Sequence, residues 1–134
     1  SGIYGDKSGR CLDILKTIDS PNLRALFDPG NFVAAGENAY PEAFNELVQY
    51  IEYLHIKDAK FSKSGLIIKP AGEGDAKISF ILKKLYDMGF AGFLSLEPHL
   101  AMVGQMGAFS GSKAFKLAAN TLKNILVDIG VSPK

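Results

Sequence analysis

The stretch "FLSLEPHL", residues 93–100, ends an apolar run on a carboxylate, Glu97, with Pro98 and His99 directly after it. The run reads as a buried strand. A carboxylate is rarely left at such a place unless it is paired or bound to a metal. Pro98 cannot extend a ladder, so the strand closes at Glu97. The same arrangement occurs twice upstream. "LRALF" (23–27) is a short apolar run closed by "DPGN", which brings Asp28 and Asn31 after its end. "YLHIKDA" (53–59) carries His55 and Asp58. In all three places the special polar residues stand where a strand ends.

Between these strands the spacing is helical. "GRCLDILKTID" has apolar residues at 11, 12, 14, 15 and 18. Pro41 takes the first helical position of "PEAFNELVQYIEY", which carries Phe44, Leu47, Val48 and Ile51 on one face. A long loop with a small strand at 66–69 follows, then a helix over 77–88 with Asp75 as its cap and Gly89 as its stop. A last helix is expected over about 112–128, after a loop in which Met102, Met106 and Phe109 pack or cover a pocket mouth. Strands alternating with helices, far apart in sequence, imply a parallel sheet with helical crossovers. Three such units fit a small doubly wound sheet or part of a (β/α)8 barrel. In barrels of this type the catalytic groups come from the C-terminal ends of several strands. The placement of Asp28, His55 and Glu97 therefore favours a single domain, 1–134, that is a barrel segment.

The totals narrow the partners. A net charge of +1 provides no field to draw nucleic acid or an anionic membrane. No apolar run approaches the ~20 residues needed to span a bilayer. The single cysteine, Cys11, excludes an internal disulfide framework and reads as a buried thiol on a helix. A cytoplasmic location is the expectation. "GEGD" (72–75) has the glycines of a phosphate loop but not the Lys-Ser/Thr of a Walker loop, so its glycines are expected to permit a tight turn.

Asp28, His55 and Glu97 form an oxygen, nitrogen, oxygen set, one from each strand. Mixed carboxylate and imidazole ligation suits Mn, Mg, Co or Zn. Neighbouring strands lie about 4.8 Å apart, so residues at equivalent ends can converge on one ion. Singly, Asp28 reads equally well as a turn residue and His55 as a satisfied core histidine. The set as a whole is what points to a metal.

"FDPGNF", "YLHIKDA", "PAGEGD" and "GFLSLEPHL", in this order and spacing, resemble the sugar isomerase/epimerase family of xylose-isomerase-like barrels. The resemblance covers essentially the whole chain and implies about strands 6–8 of a TIM barrel with their helices. It implies one divalent ion held by four residues, of which Asp28, His55 and Glu97 match three. The fourth, a fifth-strand glutamate, has no counterpart and is expected just upstream of "SGIYGD", with strands one to five. The implied chemistry is enediolate proton transfer on a sugar or sugar phosphate between two glutamates, and Glu97 matches one of them as a catalytic residue.

Candidate substrate contacts follow from the same resemblance. Asn31 stands where some relatives carry histidine, and it would hydrogen-bond a sugar hydroxyl without shuttling a proton. Lys57, Lys60 and Lys63 are the nearest substitutes for an arginine that epimerases often place in the same loop. Of these, Lys57 and Lys60 are retained as substrate contacts, although solvated loop charges would look the same. Asp58 would orient a loop or a substrate. Endonuclease IV shares the barrel but uses three zinc ions, with added aspartate and histidine in a loop that here reads "FSKSGLIIKP". A DNA-repair role and a nucleic-acid partner are therefore disfavoured. The remaining alternative is a non-catalytic half-barrel. A barrel needs about 250 residues, so 134 would leave open strand edges that invite homo-oligomers, and the chain alone would be inactive.

Overall fold

The structure, a computed structural model, describes residues 4–98 and 111–131. His99, Met102, Met106 and Phe109 lie outside the described residues. Three parallel strands form the main sheet: β1 (Ala25–Phe27), β2 (Ile51–Ile56) and β5 (Phe93–Leu96), in the order β1-β2-β5. Phe27 pairs with Leu54, and Ile56 pairs with Leu96. The numbering of β5 reflects a hairpin inserted after β2. In it β3 (Asp58–Ser62) and β4 (Gly65–Lys69) pair antiparallel. Gly65 supplies a positive φ of 109° beside the turn.

The helices follow the apolar periodicity. They are α1 (Ser8–Ile18), α2 (Pro29–Ala34), α3 (Phe44–Leu47), α4 (Ile78–Asp87) and α5 (Ser112–Asp128). In α4 the buried residues are Ile78, Ile81, Leu82 and Leu85, one stripe of a 3.6-residue repeat. Gly89, at φ 77°, follows its C-terminus as the sequence leads one to expect. In α5 the buried stripe is Ala114, Ala118, Leu122 and Ile125. The N-terminus of α1 has no side-chain cap of its own. The carboxylate of Glu37 takes that role from across the fold, accepting from the Ser8 amide at 3.0 Å and from the Ser8 hydroxyl.

The sheet is two-faced because strand residues alternate. Phe27, Leu54 and Ile56 are buried and join one core with Phe44, Leu47, Ile81 and Leu85. Phe27 stacks edge-on to Phe44 at 6.0 Å between ring centres. On the opposite face Leu26 and Phe93 are 47% and 80% exposed, so this side is uncovered among the described residues.

Three local expectations are corrected. The expected helix does begin at Pro41, after an extended Tyr40 and a cis Tyr40–Pro41 peptide, but it is irregular, with only Phe44–Leu47 a regular α turn, and it ends at Tyr50, so Ile51 belongs to β2 and not to the helix face. Burial of Ala39, Ala43, Phe44 and Leu47 dictates the path there, and packing overrides local propensity. The segment read as a long loop with one small strand contains the β3–β4 hairpin. Asp75 does not cap α4. The cap position is Lys77, at a left-handed φ of 59°, and the Asp75 amide is held by the Ala59 carbonyl at 2.8 Å. Among the described residues, no helix is long and apolar enough to cross a membrane.

Candidate metal centre

Strand register builds the site. With Phe27 opposite Leu54, the next residue, Asp28, falls beside His55. With Ile56 opposite Leu96, Glu97 falls beside Lys57, and the Glu97 amide continues the ladder to the Ile56 carbonyl at 3.3 Å. Alternation then puts His55 and Lys57 on the same side of β2, away from Leu54 and Ile56. Four side chains meet at the C-terminal ends of three strands.

Asp28, His55 and Glu97 each offer an atom, and the three atoms all lie within 4.8 Å of one another. Among the described residues, no other group of three such side chains does this. His55 Nδ1 stands 3.0 Å from Glu97 Oε2 and 3.5 Å from Asp28 Oδ2. Asp28 is also the N-cap of α2, where its Oδ1 accepts from the Asn31 amide at 3.0 Å. Its other oxygen, Oδ2, is buried and makes no hydrogen bond. His55 Nδ1 and Lys57 Nζ stay 3.5 Å away from it. The facing Glu97 can donate only when protonated.

The two carboxyls are pushed in opposite directions. Burial lifts the Asp28 carboxyl above its ordinary value; Lys57 and the Asn31 amide oppose this, and Glu97 adds to it. Burial also acts upward on Glu97, but the contact with Asp28, together with Lys57 and His55, outweighs it and holds that carboxyl below its ordinary value. Of the facing pair, Asp28 keeps its proton more tightly.

Lys57 is a member of the cluster and not a solvated loop charge. Its side chain is only 11% exposed, and Nζ lies 3.2 Å from Glu97 Oε2. It also donates to Asn31 Oδ1 at 2.9 Å, which ties Asn31 to the same site. The signal was present in "HIK": a residue two beyond His55 on a strand shares its face. Sequence reasoning missed Gly30. A Cβ at Gly30 would stand 2.7 Å from Lys57 Cγ and 2.8 Å from the Lys57 carbonyl oxygen, so helix α2 and Lys57 meet only because Gly30 has no side chain. Gly30→Ala is expected to destabilise the protein by about 2 kcal/mol, as overpacking does. Urea denaturation of the variant checks this, and an unchanged midpoint would show that Lys57 can give way freely.

Two substrate candidates fall elsewhere. Lys60 is exposed on β3, paired with Ile67 of β4. Of the two roles expected for Asp58, orienting a loop or a substrate, the structure shows the first. Asp58 is fully buried, and its carboxylate accepts from the amides of Ala59, Gly72, Gly74 and Ala76 at 2.9–3.0 Å. The "GEGD" turn thus surrounds an anion, but the anion is an internal carboxylate. A Cβ on Gly74 would come within 2.1 Å of Asp58 Oδ1, so this wrapping requires glycine. A cavity of about 600 Å³ borders Asp28 and Asn31 on the β1 side, lined also by Gly5, Cys11 and Phe32. His55 and Glu97 do not line it. Cys11 is half-buried, donates to the Gly5 carbonyl, and has its thiol pushed up by burial, which agrees with an unreactive thiol.

Comparison with known proteins identifies the family. Residues 2–123 match the family described as xylose isomerase-like TIM barrel. An uncharacterized protein of Methanocaldococcus jannaschii is 33% identical over 98 residues, which are 72% of this chain and 32% of that protein. A D-tagatose 3-epimerase-like protein of known structure is 26% identical, with a TM-score of 0.68 over 96% of this chain and 43% of its own. A xylose isomerase-like TIM barrel protein from Mycobacterium smegmatis, solved in complex with magnesium, superposes with a TM-score of 0.69 at 17% identity, covering 94% of this chain and 40% of its own. The chain therefore spans about a third of the curated relative and less than half of these solved chains. The open three-stranded sheet with its helices is part of a TIM barrel, and the chain belongs to the xylose isomerase-like TIM barrel family.

Proposed function

We propose that this chain supplies three ligands, Asp28, His55 and Glu97, to a divalent metal centre in a sugar or sugar-phosphate isomerase/epimerase. The observation that carries the reading is Asp28 Oδ2, a buried carboxylate oxygen with no hydrogen bond, aimed into a cluster with an imidazole and a second carboxylate. Such an oxygen is costly to bury without a hydrogen bond, and the nearby Lys57 Nζ and His55 Nδ1 both stay at 3.5 Å, which leaves it able to take a cation at closer range. The donor set fits: two carboxylates and one imidazole suit Mg, Mn, Co or Zn. A similar fold solved with magnesium supports a hard divalent ion.

When bound, the ion would supply the positive charge that polarises a carbonyl and its neighbouring hydroxyl. The residues of this chain would do the rest. Glu97, held below its ordinary carboxyl value, is ionised near neutrality and suited to take a proton from a carbon next to that carbonyl. Asn31 would bind and orient a sugar hydroxyl through the amide that now accepts from Lys57. A fourth ligand and second base, a glutamate by the family resemblance, has no match in these 134 residues. Catalysis is accordingly proposed for a protein that also provides this glutamate. The likeness to an epimerase-like protein favours a sugar as the substrate class.

Calorimetric titration of Mn²⁺ into the chain and into His55→Ala and Glu97→Ala tests the centre. The chain should bind weakly, and each variant should lose roughly 100-fold or more, since even residues behind a ligand cost 10–100-fold. Equal affinity in all three proteins would sink the assignment.

A further inference from the structure

We propose that Lys57 is a built-in counter-cation of the carboxylate cluster, which a divalent ion must displace, so that residue 57 sets the metal affinity of the site. This rests on the metal reading above and adds to it a residue that ligates nothing. Lys57 Nζ lies 3.2 Å from Glu97 Oε2 and 3.5 Å from Asp28 Oδ2. Those two oxygens are the same ones that face His55 Nδ1 at 3.0 Å and 3.5 Å. The ammonium and an ion would therefore compete for the same two oxygens.

Three features distinguish this from an ordinary surface ion pair. First, one ammonium serves two carboxylates, and the lysine side chain is buried except for 11% of its area. Interactions of charges so placed are weakly screened and correspondingly strong. Second, the stem is fixed: Gly30 lets Lys57 Cγ and its carbonyl approach α2 to distances that no other residue would allow. Third, Nζ has an independent acceptor, Asn31 Oδ1 at 2.9 Å, which is not a proposed ligand. That bond gives the ammonium a resting place when the carboxylates are engaged elsewhere. Without an ion, the lysine offsets the repulsion between Asp28 and Glu97. With an ion bound, the same positive charge is surplus and opposes binding.

The test uses the whole chain, Mn²⁺ as the probe for calorimetry, and Lys57→Met, which keeps the stem and removes the charge. Lys57→Met is expected to bind Mn²⁺ about tenfold more tightly than the original chain, the size of one lost charged contact. The metal-free variant should melt at a lower temperature. A lysine that merely supports the fold would weaken binding on removal, so the sign of the change decides. Equal or weaker binding by folded Lys57→Met overturns the proposal while leaving the metal centre standing. Absence of Mn²⁺ binding in both proteins overturns the metal reading and this one together. A measurement on the unaltered chain covers failure of the variant to fold. The Lys57 ε-methylene resonance should shift on saturation with Mg²⁺, and a resonance that does not move rejects displacement.

Discussion

Asp58→Ala is expected to lower the stability of this protein by about 4 kcal/mol, a large share of what a domain of this size possesses. Asp58 is fully buried, and its two oxygens accept from four amides: Ala59 at 2.9 Å, Gly72 at 2.9 Å, Gly74 at 3.0 Å and Ala76 at 3.0 Å. Removing the carboxylate strands four amide donors at a buried position. Each unsatisfied group costs on the order of 1–3 kcal/mol. Asp58→Asn should recover only part of the loss, because its amide nitrogen would face N–H groups. Urea denaturation of the three proteins measures the difference. A loss below about 1 kcal/mol for Asp58→Ala would mean that the turn amides find other acceptors. The consequence reaches the cluster of Asp28, His55 and Glu97, since Lys57 is the adjacent residue.

The second large effect is a change of opposite sign in two measurements. Asp28→Asn should raise the stability of the metal-free protein at pH 7 by about 1 kcal/mol, the usual size of such relief at a functional site. It should also lower the affinity for Mn²⁺ by roughly 100-fold or more. Asparagine keeps the oxygen that caps α2 and accepts from the Asn31 amide. It removes the charge that burial disfavours. The sign follows from proton linkage. The Asp28 carboxyl is raised above its ordinary 3.8, so between that value and the folded one the native state holds more protons than the unfolded chain. Stability from this group falls as pH rises through that window, and the penalty is complete above it. The gain from Asp28→Asn should accordingly fade when the melts are repeated below pH 3.8. Glu97 runs the other way: it is lowered, so its contribution is present above its unfolded value and is lost as pH falls through the folded one. An Asp28→Asn protein that melts below the original at pH 7 would contradict the argument.

Much of this was legible from local pattern. A stripe such as Ile78, Ile81, Leu82 and Leu85 announces its helix because helices repeat every 3.6 residues. The cluster of Asp28, His55 and Glu97 was legible because Asp28 and Glu97 each directly follow an apolar strand and His55 lies near the end of one, positions whose cost demands an explanation. The hairpin was not, since β3 and β4 are largely exposed and leave little apolar alternation to read. For Asp58 the choice between loop and substrate stayed open for a different reason. Three of its four amide partners lie 14–18 residues further on, and nothing in "HIKDA" records that they will reach back to it. Lys57 fell between the two cases. Its residue type was noted, but its burial depends on Gly30, 27 residues earlier and without a side chain to advertise the contact.

The close approach of Gly30 to Lys57 would also bear on how fast the proposed centre could load. Because Cγ and the carbonyl of Lys57 are clamped against α2, only the outer carbons and the nitrogen are free to swing. Motions of that kind take picoseconds to nanoseconds, whereas displacing a loop takes up to microseconds. Exchange of ammonium for ion at Asp28 and Glu97 would thus be gated by a single side-chain rotation, and the backbone around the site could stay still while the occupant changes.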